Sequence, residues 1–563
     1  MADLLQFDNA FYELAALLIV AIIVGAIATL LRQPLIISFI AVGIIAGPAW
    51  LSIIEDQEAF ELLATMGIAL LLFVVGLKLD IGLIRQSGPV ALYTGVGQVL
   101  FTSIIGFGIT ILLGISTLHA LYVAVALTFS STIIIVKLLS DKREIDSLHG
   151  RIAIGLLIVQ DIMVVLVMIG LTAFGAGDGE GDSLLRETGL VLLYGTLFVA
   201  GIVVITRYAI QPVFRIFARS QELLVLAAIG WALILAATGD MLGLSKEVGA
   251  FIAGVSLAST PFREAIGTRL VSLRDFLLLF FFLSLGADLD LSQLGAQIVP
   301  ALALSAFVLI GNPIIVMTIT GLMGYRKRTG FLSGLTVAQI SEFSLILAAM
   351  GLAVGHIDDE TLGLITLVGL VTIGTSTYLI LYSHQIYERI GKYLSIFERE
   401  RDIEKDLGDD DSFRPDVIVY GLGRYGGNLF QQLHDRGHTV LGVDFDPEVV
   451  EMWKKLGMHT AYGDAEDPEF PGSLPPGSKW IISTMRDEHV SRSLIHGLEH
   501  HGYPCNIGVT AAIDSVADRL RDENVDLVLM PYPDAAKEAA DTIDQMIESG
   551  VQPGDRVSGP GEK

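Results

Sequence analysis

The sequence predicts a polytopic α-helical membrane protein that ends in an α/β domain. Three observations carry that prediction. Thirteen apolar runs fill residues 1–392, a mixed and charged pattern follows, and within it a strand leads straight into a G-x-G-x-x-G loop. Only 17% of the 563 residues are charged and the mean hydropathy is +0.63, values beyond those of soluble globular chains. The single Cys505 leaves no disulfide within the chain and no zinc-ligand spacing.

The runs start near Phe11, Pro34, Leu62, Pro89, Leu118, Gly150, Leu184, Gln221, Leu244, Val271, Ile298, Phe331 and Thr361. Each is about 17–25 residues long, the length that crosses a hydrocarbon core. Loops carrying Arg32, Lys78 and Arg85, Lys142 and Arg143, Arg207 to Arg219, Arg263 and Arg269, and Arg326 to Arg328 alternate with acidic or neutral ones. Lys246 is the main exception. By the positive-inside rule the basic loops are cytoplasmic. An odd number of spans then puts the N-terminus outside and the C-terminal domain in the cytoplasm. The start lacks a basic n-region, so no cleavable signal peptide is expected. The net charge of −25 reads as a solvated acidic surface and points to no nucleic-acid partner.

Two string pairs betray an internal repeat. Residues 39–47 resemble 251–259, and residues 72–80 resemble 281–290, both roughly 210 residues apart. That offset spans seven helices, so the two copies face opposite ways: inverted repeats, common among secondary transporters. The same offset carries Thr128-Phe-Ser-Ser-Thr132 onto Gln339-Ile-Ser-Glu-Phe343. Both are polar interruptions inside apolar runs, and they predict two discontinuous helices that cross at the midplane, with half-helix ends and carbonyls open to a cation.

Asp161 lies in the middle of the apolar stretch 152–170. A carboxylate at that depth costs at least a few kcal/mol and marks an ion or proton site by default. Desolvation favours its neutral form and a bound monovalent cation favours its charged form, so proton and cation compete for one group. The bland alternative is a buried aspartate satisfied by helix packing. Gln160 offers an amide oxygen, and Ser130, Ser131 and Thr132 offer hydroxyls, although such hydroxyls often bond back to their own helix. Gln339 and Glu342 stand at the second break, where Glu342 either orients the crossing or carries the ion.

In the charged region, residues 415–426 form a strand followed by Gly421, Gly423 and Gly426, with Arg424 and Tyr425 between them. A helix pattern covers 428–436, and a second strand ends in Asp444, with Phe445 next. Glycines let backbone approach a pyrophosphate at a helix N-terminus, and the aspartate takes ribose hydroxyls. This is a Rossmann-like pattern. With no arginine after Asp444, NAD(H) or AMP is favoured over NADP. A third strand ends before Asp464 and Ala465, and residues 481–484 read as the fourth. No substrate domain follows, so the nucleotide reads as a regulatory ligand, no catalytic cofactor is expected and the chain is not an enzyme.

The strings 130–139, 149–161 and 339–343 resemble the monovalent cation:proton antiporter superfamily, in its Kef-like potassium/proton branch. The C-terminal part resembles an RCK (TrkA-N) module, in which relatives contact adenosine through the residue matching Asp464. The resemblance covers nearly the whole chain, with domains at 1–392 (transmembrane), 393–413 (charged linker), 414–548 (nucleotide-binding) and 549–563 (tail). It implies potassium or sodium at Asp161, and the Gln160-Asp161 pair resembles the potassium type. It also implies a homodimer in a bacterial or archaeal plasma membrane, with a static domain and a six-helix core that moves like an elevator. Many relatives carry a lysine where this chain has Asn312, a departure that leaves coupling open. Sodium/proton exchange on the same fold, or a nucleotide-gated potassium channel, are the alternative readings, and the channel would need a filter string that is absent.

Overall fold

The protein is described by a computed structural model, which covers residues 10–47, 57–78, 88–142, 144–145, 147–175, 182–289, 294–397, 413–463, 465, 471, 474–485, 488–523 and 525–549. The chain divides into two compact units, Met1–Glu398 and Arg399–Lys563. Most of the expected linker, all of the tail beyond Ser549, and Asp464 lie outside the described residues.

The first unit is all helix. In chain order it comprises α1 (Ala10–Leu30), α2 (Leu35–Ala46), α3 (Gln57–Lys78), α4 (Gly88–Leu112), α5 (Thr117–Ala126), α6 (Thr132–Asp141) and α7 (Leu148–Gly175). There follow α8 (Asp182–Ile205), α9 (Gln211–Phe217), α10 (Gln221–Met241), α11 (Lys246–Ala258) and α12 (Arg263–Ala287). The set ends with α13 (Leu294–Ala306), α14 (Asn312–Leu322), α15 (Lys327–Thr336), α16 (Glu342–Ala353), α17 (Asp359–Leu381) and α18 (Ser383–Ile390).

Every predicted run falls on a helix or a helix pair. Among the described residues, however, nine helices rather than thirteen are long and apolar enough to cross a membrane. The shortfall has a physical reason. Two runs are broken into the half-helices α5/α6 and α15/α16. Two more, α2 and α11, have only 12 and 13 residues, against about 20 for a full crossing.

Prolines shape two other helices. Pro212 and Pro313 follow the π turns Thr206–Ile210 and Phe307–Gly311. Proline lacks an N–H and its ring crowds the preceding turn, and a wider turn absorbs both. The second π turn delivers Asn312 to the bundle interior, where it is fully buried.

The repeat is visible as reciprocal packing. A Cβ on Gly43 of α2 would collide with the Leu283 carbonyl and Gly286 of α12, and one on Gly286 with the Ile40 carbonyl and Gly43. In the same way Gly76 of α3 meets Phe251 and Gly254 of α11, and Gly254 meets Phe73 and Leu77. The first helix of each copy thus lies backbone to backbone on the second helix of the other. In this packing Gly43 and Gly254 occupy equivalent places, one residue off the string alignment.

The second unit holds a six-stranded parallel sheet in the order β3-β2-β1-β4-β5-β6. The strands are β1 (Val417–Tyr420), β2 (Val440–Asp444), β3 (Thr460–Tyr462), β4 (Trp480–Ser483), β5 (Asn506–Thr510) and β6 (Leu527–Leu529). All-parallel pairing follows from the crossover helices α19 (Arg424–Asp435), α20 (Pro447–Lys455), α21 (Glu488–His500) and α22 (Asp514–Arg521). A last helix, α23 (Pro531–Glu548), follows β6. Strand order reverses between β1 and β4, where Tyr420 pairs with both Val443 and Ser483. That switch point is where open sheets of this kind bind ligands.

Candidate functional site

Asp161 sits halfway along the 28-residue α7. Asp161 is half-buried, and among the described residues its carboxylate has one hydrogen-bond partner, the Thr132 hydroxyl, which donates to Oδ2 over 3.0 Å. Thr132 is the first residue of α6, so Asp161 lies at the positive end of a half-helix. Two charges act on it, the like charge of Glu342 and the opposite charge of Lys78. Lys78 ends α3.

Both breaks are built alike. Ser131 and Ser341 are the N-caps of α6 and α16, accepting from the N–H groups of Ile134 and Phe343. Glu342 is buried in the first turn of α16, where the Ser341 hydroxyl donates to it over 3.4 Å. Gln339 is wholly buried and accepts from Ser376 over 2.7 Å. Ser130 donates to the Val337 carbonyl, 3.4 Å away at the opposite break.

The carbonyls at the breaks differ from expectation. Rather than standing open, those of Ala126, Leu127, Thr128 and Val337 accept from side-chain donors. Ser344 donates to Ala126 O at 2.6 Å. The Asn312 amide donates to Leu127 O and Val337 O, both at 3.3 Å. Gln98 and Gln160 donate to Thr128 O, both at 3.1 Å. Buried carbonyls demand such partners, since an unmade bond costs about 1–3 kcal/mol. Gln160 also differs: its oxygen accepts the Ser130 N–H at 2.9 Å and is directed at the break. The structure therefore brings Asp161, Thr132, Ser130, Gln160 and Asn312 into one neighbourhood, and among the described residues Thr132 is the one hydrogen-bonded to the carboxylate.

A second carboxylate escaped sequence reading. Glu144, between α6 and α7, takes Lys142 at 2.9 Å and His149 at 3.1 Å on one oxygen and His384 at 2.7 Å on the other. Burial alone would raise its carboxyl, but bonds from His149, His384 and Lys142 outweigh that and hold it well below the usual carboxylate range. Lys142 also donates to Ser383 at 2.8 Å, so the cluster ties α6 and α7 to α18. His384 lies 240 residues from Glu144, and no local pattern could reveal that contact.

In the α/β unit, Gly421 has φ +86°, a left-handed conformation that favours glycine. A Cβ on Gly426 would strike the Gly421 carbonyl and the Thr484 hydroxyl. Gly423 caps α19 without a side-chain bond, and a Cβ added there would meet nothing within 4 Å. That leaves open space before a helix N-terminus, which fits a pyrophosphate. The buried Asp444 accepts from Leu422 N at 2.6 Å and Asp446 N at 2.9 Å, holding the loop to the end of β2. Arg424 and Tyr425 open α19, Phe445 follows β2, and Ala465 is buried in the core.

A bundle of reciprocal repeats with a carboxylate beside paired broken helices defines an integral-membrane secondary transporter. Comparison with known proteins narrows the class. The sodium/hydrogen exchanger transmembrane family matches residues 17–381, and the TrkA-N domain matches 417–531. The chain belongs to the sodium/hydrogen exchanger family, as a Kef-like cation/proton antiporter with an RCK domain. Among its relatives, the putative cation/proton antiporter YbaL of Escherichia coli is 24% identical over 94% of this chain and 96% of its own. The iron transporter MagA of Paramagnetospirillum magneticum is 30% identical over 65% and 83%. The K(+) efflux antiporter 5 of Arabidopsis thaliana is 30% identical over 61% of each.

Proposed function

We propose that this protein exchanges potassium for protons across a bacterial or archaeal plasma membrane, with Asp161 as the shared carrier. The carrying observation is the Asp161 carboxylate at mid-helix beside the broken helix α6, with a single hydroxyl partner among the described residues. A lone carboxylate holds either one monovalent cation or one proton, and their competition is the exchange. Thr132 orients it, and Lys78 and Glu342 set the field around it. Reciprocal packing of α2, α3, α11 and α12 suits a static part, and α4 to α7 with α13 to α17 suit a part that moves like an elevator. The potassium efflux relative supports the choice of ion. The fold would serve sodium equally well, so sodium/proton exchange is the second reading.

The Gly421–Gly426 loop and Asp444 would hold NAD(H) or AMP, and the bound nucleotide would regulate transport. We further propose a homodimer, with the N-terminus outside and the RCK domain in the cytoplasm. The test is proton flux into proteoliposomes carrying a pH-sensitive dye, challenged with potassium and then sodium. Potassium-driven flux lost in Asp161→Asn supports the reading. Flux with sodium alone replaces the ion, and full activity in Asp161→Asn removes Asp161 as carrier.

A further inference from the structure

Three buried amides meet at the crossing, and every donor they possess is used. Gln160 Nε2 donates to Gln98 Oε1 at 2.6 Å and to Thr128 O at 3.1 Å. Gln98 Nε2 donates to Thr128 O and to Thr102 Oγ1, both at 3.1 Å. Thr102 then donates to Asn312 Oδ1 at 2.8 Å. Asn312 Nδ2 in turn donates to Leu127 O and Val337 O, one carbonyl from each break. The chain of bonds has a direction. Thr102 can only donate to the Asn312 oxygen, which turns the Asn312 nitrogen toward the two carbonyls. Gln98 accepts from Gln160, which turns the Gln160 oxygen toward Ser130 N. Gln98 and Thr102 lie four residues apart on one face of α4 and are fully buried.

We propose that Gln98 and Thr102 are positioning residues for cation exchange. Touching neither Asp161 nor Thr132, they act through Gln160 and Asn312. Their clamp fixes the spacing of the two breaks and keeps the carbonyls of Leu127, Thr128 and Val337 away from the cation. Cation recognition is thereby weighted toward Asp161 and Thr132. The clamp carries no charge, so it performs this task without titrating. A freed amide would turn over, release a carbonyl into the path and create a competing, poorly selective oxygen site.

This inference rests on the exchange reading, and the test separates the two. Full-length protein is reconstituted in proteoliposomes, and cation-driven proton flux is measured for the parent, Gln98→Met, Thr102→Val and Thr102→Ser. Potassium and sodium are both titrated, and the pH profile and melting temperature are recorded. We expect Thr102→Val and Gln98→Met to raise the apparent KM of the driving cation about tenfold. The ratio of the two cations' KM values should move toward one, with the pH profile kept. Thr102→Ser, which retains the hydroxyl, should behave as the parent. Unchanged KM values and ratio overturn the proposal. So does a fall in Vmax and melting temperature at constant KM, which marks a merely structural role. If Gln98→Met fails to fold, the Thr102 pair decides. A parent without cation-driven flux overturns the exchange reading, and the clamp falls with it.

Discussion

Asp161 and Glu144 are two carboxylates of one bundle with opposite surroundings. Glu144 is held by a lysine and two histidines, each within 3.1 Å. Asp161 has one hydroxyl. A carboxylate whose oxygens are filled by a lysine and two imidazoles is spent on structure, because releasing it means breaking charge-assisted bonds. One with a single neutral partner keeps lone pairs for a traveller. The number and charge of fixed partners, rather than the presence of an acid in a membrane protein, separate a strut from a carrier.

The largest effect should come from emptying the carrier. Asp161→Asn should lower cation-driven proton flux at least about a hundredfold and leave the melting temperature within a few degrees of the parent. A large drop in melting temperature would mean that Asp161, too, is a strut. Next comes the nucleotide end. Asp444 is tied by two backbone N–H groups, so it lies between the two extremes. Asp444→Ala should weaken NAD(H) or AMP binding by calorimetry at least about tenfold while cation preference stays put. Equal affinity in both proteins would relieve Asp444 of any ligand role.

Glu144→Gln should destabilise by about 2–3 kcal/mol in thermal unfolding with the cation KM unchanged. The pH dependence follows from sign. The folded-state pKa of Glu144 lies below its unfolded value, so its stabilisation is fully present above the ordinary carboxylate range and is lost as the pH falls below it. The gap in melting temperature between parent and Glu144→Gln should therefore close as the pH falls below the ordinary carboxylate range. A gap that widened in acid would contradict the bonding. The smallest effect belongs to an ordinary cap. Asp358 accepts from Thr361 N at the start of α17, and Asp358→Ala should cost about 1 kcal/mol.

Much of this was legible along the chain because its causes are local. Apolar runs gave the helices, and Thr128–Thr132 and Gln339–Phe343 gave the breaks. One acid in an apolar run gave Asp161, and glycine spacing with Asp444 gave the Rossmann-like loop. Even there, α19 begins at Arg424, earlier than the helical pattern suggested, because Gly423 serves as its N-cap. What escaped depends on distance in sequence. Gln98 and Thr102 look like two stray polar residues until α14 is laid across them. Lys78 looks like a loop cation until the field at Asp161 is considered. The direction of the Gln160 amide is a property of the network and of no string.

The glycine contacts between α2 and α12 and between α3 and α11 carry a consequence for ancestry and for engineering. Each copy of the repeat presents two furrows that the other copy's backbone fills. Severed within residues 218–220, the two halves would expose two bare furrows apiece, and neither could close them with its own side chains. Co-expressed, they should find one another and restore the seam, whereas either half alone should be cleared. A gene duplicated in this way is committed: once each copy has given up its side chains to admit the other, neither can again stand as a protein by itself.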